Sequence, residues 1–119
     1  MQVVSKEDVK GFPILQKVVG RVLLSGERLM FLLAEIEPDG VVPEHSHPHE
    51  QMGICLKGKA EFKAGDKTAI VKAGMAYWFP PNEKHGVKVI GDEKGVFLDV
   101  FSPPREDYLL KQREAERNI

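Results

Sequence analysis

The chain holds four histidines, and three of them fall within five residues, in the run His45-Ser46-His47-Pro48-His49-Glu50-Gln51. Imidazole nitrogen is a common ligand for zinc, nickel, copper and iron, and an amide oxygen can complete a borderline-hard site. Side chains on an extended strand alternate faces, so His45, His47 and Gln51 share one face and Glu50 takes the other. His85 lies far off in sequence, just after the corner Pro80-Pro81-Asn82. Converging inside a closed sheet, His45, His47, Gln51 and His85 would hold one divalent transition metal ion; Zn, Ni, Mn and Fe all suit them. The competing reading is a polar loop with surface histidines, and the crowding of three histidines into five residues favours the metal. His49 shares the parity but follows Pro48. It stays open between a fifth ligand, a donor that supports a ligand from behind, a proton carrier or substrate contact, and a solvated rim residue. Glu50 becomes a ligand only if a bulge shifts the register.

The neutral amide of Gln51 has a chemical consequence. Three neutral imidazoles and a neutral amide leave a divalent ion its full charge, which makes it a stronger Lewis acid and anion receptor. That favours polarising a carbonyl or hydroxyl over the two-His-one-carboxylate chemistry of oxygen activation. The stretch Val96-Phe97-Leu98-Asp99-Val100-Phe101 carries one charge among apolar residues. A carboxylate on an inward face costs several kcal/mol unless it is paired or protonated. Asp99 is therefore either a structural hydrogen-bond partner, to a tyrosine or the backbone, or a proton-transfer group beside the metal. Arg105 follows two prolines. It either clamps a substrate carboxylate or pairs with Glu106 or Asp107 on the surface. Phe101 is an apolar wall of the site or plain core. Tyr77, Trp78 and Phe79 read as core or interface.

The elements that must position these groups read as all-β. Short apolar stretches alternate with turn signals such as Pro38-Asp39-Gly40, Lys57-Gly58-Lys59 and Gly65-Asp66-Lys67. Several recur at the spacing of about 8–12 residues expected of a sandwich or barrel. Strands are predicted over 18–24, 29–37, 51–56, 60–64, 68–71, 76–79, 86–90 and 96–101, in one domain spanning 1–119 with its core at 18–101. The segment 102–119 follows, with Ser102 as a helix N-cap, a proline in the first turn, docking through Tyr108, Leu109 and Leu110, and a fraying polar tail from 111. Residues 29–34 are apolar on both faces. Their outward set, Leu29, Phe31 and Leu33, is covered either by a second subunit, making a homodimer, or by the chain's own N-terminal segment.

Composition excludes several classes. Seventeen Lys+Arg against 18 Asp+Glu give a net charge of −1, with no electrostatic footprint for nucleic acid or an anionic membrane. The apolar run at 29–34 is far too short to span a bilayer. The first eleven residues lack the apolar region of a signal peptide. Cys55 is the single cysteine, so an internal disulfide is impossible and a cytoplasmic location is expected. What remains is a compact cytosolic domain.

The two histidine regions resemble the motifs of the cupin superfamily. Gly40, His45, His47 and Gly58 fit the first motif, with one residue fewer than usual between Gly40 and His45 and with Gln51 in place of the acid. Gly74, Pro80 and His85 fit the second, with Asn82 and Val89 standing for its usual Gly and Asn. The resemblance implies a β-barrel in jelly-roll form, built of two antiparallel sheets, often dimeric, with the metal inside. A narrower likeness, over the histidine run and 99–108, is to the KdgF-type cupins of pectin and alginate breakdown. Those convert cyclic 4,5-unsaturated monouronates into linear ketonised forms. It implies a metal held by three His and a Gln, and an active site lined by positions matching Asp99, Phe101 and Arg105. Fold alone does not fix function. A quercetinase-like dioxygenase and a non-catalytic metal- or metabolite-binding cupin are the alternatives.

Overall fold

The structure, a computed structural model, describes residues 1–117. A six-stranded antiparallel sheet comprises, in spatial order, β1 (Phe12–Leu15), β2 (Val18–Ser25), β3 (Met30–Ile36), β10 (Gly95–Ser102), β5 (Glu50–Lys57) and β8 (Ala76–Phe79). A four-stranded antiparallel sheet has the order β4 (Val41–His45), β9 (His85–Ile90), β6 (Lys59–Ala64) and β7 (Lys67–Lys72). The two sheets pack on one another as a jelly-roll sandwich. The expected two antiparallel sheets are present, but they do not close into a continuous barrel.

Strand β10 carries the logic of the interior. Gly95, Phe97, Asp99 and Phe101 are buried, and the alternate residues Val96, Leu98, Val100 and Ser102 are half-buried on the other face. Phe97 meets Phe62 of the opposite sheet at 5.9 Å between ring centroids, and Phe62 stacks on Phe79 at 6.0 Å. Burial of each such ring contributes about 1.5–3 kcal/mol, enough to hold the sheets face to face.

Two strands lie outside the predicted set, β1 and β4. Each contains a proline, Pro13 or Pro43, which argues against a paired strand. Both are edge strands, where a missing N–H can face away from the ladder. The outward face of β3 is divided. Leu29 and Phe31 are exposed, whereas Leu33 is buried beneath the N-terminal 3-10 turn Lys6–Asp8, in a hollow formed with Lys6, Glu7, Arg21 and Glu35.

The C-terminal helix α1 spans Glu106–Arg117, so it starts four residues beyond Ser102, which ends β10 instead of capping the helix. The expected fraying from 111 does not occur over the described residues. Gln112 is buried, accepts from the Val22 N–H at 2.8 Å and donates to the Lys10 carbonyl at 2.9 Å, so a polar side chain ties the helix to the sheet. Residues 118 and 119 of that tail lie outside the described residues. Tyr108 and Leu109 pack on the cluster around Phe12, Met30 and Phe101, whereas Leu110 is exposed and does not dock. No described helix is long and apolar enough to cross a membrane.

Candidate metal centre and active site

His45 ends β4, His85 opens β9 directly opposite it, and His47 follows in the loop toward β5. One ring nitrogen from each of the three lies within 4.8 Å of the other two. The residues that shared parity grouped do come close together, but not on a shared strand face. Residues 46–49 are not a strand, and His45 and Gln51 belong to different sheets. A loop that crosses between the sheets brings them together.

Each histidine is oriented from behind by a backbone carbonyl two residues away. The Nδ1 atoms lie 2.9 Å from the Pro43 oxygen for His45, 3.1 Å from the His49 oxygen for His47 and 2.8 Å from the Glu83 oxygen for His85. A proton on Nδ1 satisfies each contact and leaves the Nε2 lone pair free, the usual outer arrangement behind a metal-bound imidazole. The His85 ring also stacks on Phe79, with centroids 4.0 Å apart and planes 6° from parallel.

The remaining contacts test whether these residues fit a cation. His85 Nε2 is buried and has no hydrogen-bond partner among the described residues. His47 Nε2 lies 3.0 Å from Gln51 Oε1, although the amide is turned so that its Nε2 donates to Asp99 Oδ1 at 3.2 Å. His47 thus faces an oxygen acceptor at both ring nitrogens. Burial, reinforced by the Arg105 charge, pushes its pKa down to about 4, so at neutral pH it carries one proton for two acceptors. Burial likewise lowers the pKa of His85. Imidazole nitrogens turned inward, one set against an amide oxygen, are what a bound cation would satisfy. The residues fit the ion that the sequence implies.

Gln51 and Asp99 come from the six-stranded sheet. Asp99 Oδ1 accepts the Gln51 amide and also the Tyr77 hydroxyl, at 2.6 Å. Tyr77, Gly53 and Asp99 lie side by side on β8, β5 and β10. Gly53 is the gap through which Tyr77 reaches Asp99, because a Cβ there would sit 2.5 Å from both the Asp99 oxygen and the Tyr77 hydroxyl. Burial raises the Asp99 pKa to about 6, against the pull of the Tyr77 and Gln51 hydrogen bonds. A cation held beside Gln51 would favour the carboxylate.

A cavity of about 70 Å³ opens at this point. His45, Gln51, His85, Asp99, Phe101 and Arg105 all contribute to its wall, and Phe62, Phe79 and Phe97 close its apolar side. His47 adjoins it through Gln51. The ring of His49 is not part of the wall. Its backbone oxygen steadies His47, and its own Nδ1 is buried without a partner among the described residues. Glu50 is exposed and accepts the Trp78 indole N–H at 2.9 Å, away from the histidines. Arg105 makes the ion pair with Asp107 that one of its sequence readings expected, through Nε and Nη2 at 3.2 and 2.8 Å, and it also borders the cavity. Tyr77 is the tyrosine that the structural reading of Asp99 expected, and the residues that sequence reasoning passed over are Phe79 as the plate behind His85, and Gly53. A glycine inside an apolar strand was the available signal, since it often marks close approach.

The fold and the histidine group define the class: residues 32–101 match the Cupin domain family, and the chain belongs to it. Among its relatives, the pectin degradation protein KdgF of Dickeya dadantii (strain 3937) is 30% identical over 90 residues, covering 75% of this chain and 81% of that protein. The H2HPP isomerase of Bacillus subtilis is 32% identical over 75 residues, covering 62% of this chain but only 32% of that protein. In three dimensions the chain is similar to KdgF from Halomonas sp., with a TM-score of 0.84 at 20% identity, covering 91% of this chain and 98% of that one. An RmlC-like cupin from Shewanella frigidimarina NCIMB 400 also has a TM-score of 0.84, at 22% identity, covering 91% and 96%. At these identities the structural likenesses establish the fold.

Proposed function

We propose that the protein is a metal-dependent isomerase-type enzyme that converts 4,5-unsaturated monouronates into linear ketonised products. The observation that carries this reading is the buried Asp99 carboxyl, bonded to Gln51 and sharing one cavity wall with Arg105 and two of the histidines. Similarity to a pectin degradation protein over most of both chains supports the substrate class.

A divalent ion bound by His45, His47, Gln51 and His85 supplies Lewis acidity at a substrate oxygen. Arg105 binds the substrate carboxylate, and Phe101 packs beside the ring. Asp99 takes the hemiacetal hydroxyl proton as the bond between the anomeric carbon and the ring oxygen breaks. The released enol becomes a ketone when a proton is delivered to the neighbouring carbon. Atoms balance without oxidant or reductant, because one proton moves from oxygen to carbon. Tyr77 and Gln51 hold Oδ1 of Asp99, so the other carboxylate oxygen is the one placed to carry that proton. His49 acts through its carbonyl on His47, and its ring reaches substrate only at the rim.

The test is direct. Metal-loaded protein is mixed with 4,5-unsaturated galacturonate, and the absorbance of the conjugated enol ether is followed. Faster loss than in buffer supports the assignment, and a rate equal to buffer defeats it.

The functional unit in this reading is a cytoplasmic homodimer. Its support is the outer face of the six-stranded sheet, where Phe31, Val100, Met52 and Trp78 form one row across four strands, three of them exposed. Sedimentation at micromolar concentration should give twice the chain mass, and a monomer alone removes the dimer.

A further inference from the structure

Arg105 is held in an unusual way for a residue at a cavity wall. Its side chain is 12% exposed, whereas that of Asp107 is 54% exposed. The guanidinium carbon lies 3.9 Å from the centroid of the Tyr108 ring and 5.2 Å from that of Phe101. Tyr108, Phe101 and Arg105 line the cavity, and Asp107 does not. The carboxylate of Asp107 therefore meets Arg105 from outside the substrate space and does not fill it. The two bonds use Nε and one proton of Nη2. A guanidinium has a second edge, formed by Nη1 and the other Nη2 proton, which can grip another carboxylate in the same plane.

From this geometry we propose that Asp107 and Tyr108 are positioning residues that make the cavity selective for acids. Asp107 fixes one edge of Arg105 and Tyr108 fixes its face, so the second edge is presented to a ligand carboxylate without a search over rotamers. The proposal rests on the assignment of Arg105 as the carboxylate group. Such preorganisation raises affinity by cutting the ordering cost of a long side chain. Helix α1 thereby has a functional role: its first turn carries Asp107 and Tyr108, and the buried Gln112 locks the helix in place.

The experiment measures binding of galacturonate and of galactose, the neutral sugar of the same shape, by calorimetry or NMR titration. Wild type is expected to prefer the acid. Asp107→Asn is expected to weaken galacturonate about fivefold to tenfold, the scale of one ordered long side chain, and to leave galactose unchanged. A merely structural role would weaken both sugars together. Tyr108→Leu is the second arm and decides the matter if Asp107→Asn does not fold. Unchanged or tighter galacturonate binding in the folded variants overturns the proposal, since Asp107 would then be a bystander or a competitor for Arg105. If wild type does not distinguish acid from neutral sugar, the assignment of Arg105 falls first, and this proposal falls with it.

Discussion

His45, His47 and His85 are each tied to a backbone carbonyl two residues away, whereas Gln51 and Asp99 bond to each other, and Asp99 to Tyr77, across neighbouring strands far apart in sequence. The histidine side of the site comes from the four-stranded sheet and the loop leaving it. The Gln51–Asp99 side comes from the interior of the six-stranded sheet, where Tyr77 lies 22 residues from Asp99 and Gln51 lies 48 residues away. The first half takes its ring orientations from local backbone, while β4–β9 pairing brings His45 and His85 together and Phe79 backs the His85 ring. The second half depends on register across three strands and on the absence of a side chain at Gly53. With the histidine group oriented locally and the carboxyl oriented remotely, the proposed metal binding and proton transfer can be separated by mutation.

The largest effect should come from the histidine half. His85→Ala is expected to reduce metal affinity beyond the roughly 10–100-fold that loss of an outer hydrogen bond costs, as read by competition with a chelator. Chelation of the wild type should abolish uronate turnover, and metal should restore it. Next is Asp99→Asn, which keeps shape but removes the proton carrier. The expected fall in kcat is about 100-fold to 10,000-fold, with metal content by elemental analysis unchanged. Equal loss of metal in both variants would erase the distinction between the two halves.

Smaller effects should sharpen it. Tyr77→Phe leaves a buried carboxyl short of one donor and should cost about 1–3 kcal/mol in denaturant unfolding, with a fall in kcat smaller than that of Asp99→Asn. Gly53→Ala places a methyl group against the Tyr77–Asp99 contact, and overpacking of this kind typically costs about 1–3 kcal/mol. It should lower Tm while leaving the histidine spacing, and hence cobalt binding, intact.

This division also explains what could be read from the sequence. The histidine run, the strand alternation in β10 and the corner before His85 are local patterns, and they carry the fold class and the histidine cluster. Phe101 and Asp99 could be assigned inward faces from period two alone. The edge strands β1 and β4 escaped because Pro13 and Pro43 contradict strand pairing unless the sheet order is known. Tyr77 read as core because its hydroxyl partner lies across a glycine on another strand, and no local pattern records that. The helix was misplaced at its start because Ser102 and the prolines look like a cap. Burial of Gln112 was invisible because a polar helix face ordinarily points to solvent.

The most direct measurement is an anomalous difference map from crystals of protein loaded with zinc or nickel, collected at the metal edge. The account expects one peak between Nε2 of His45, His47 and His85 and Oε1 of Gln51, with Asp99 still bonded to the amide nitrogen. No peak there under saturating metal, or a peak elsewhere with the three imidazoles turned outward, would contradict it.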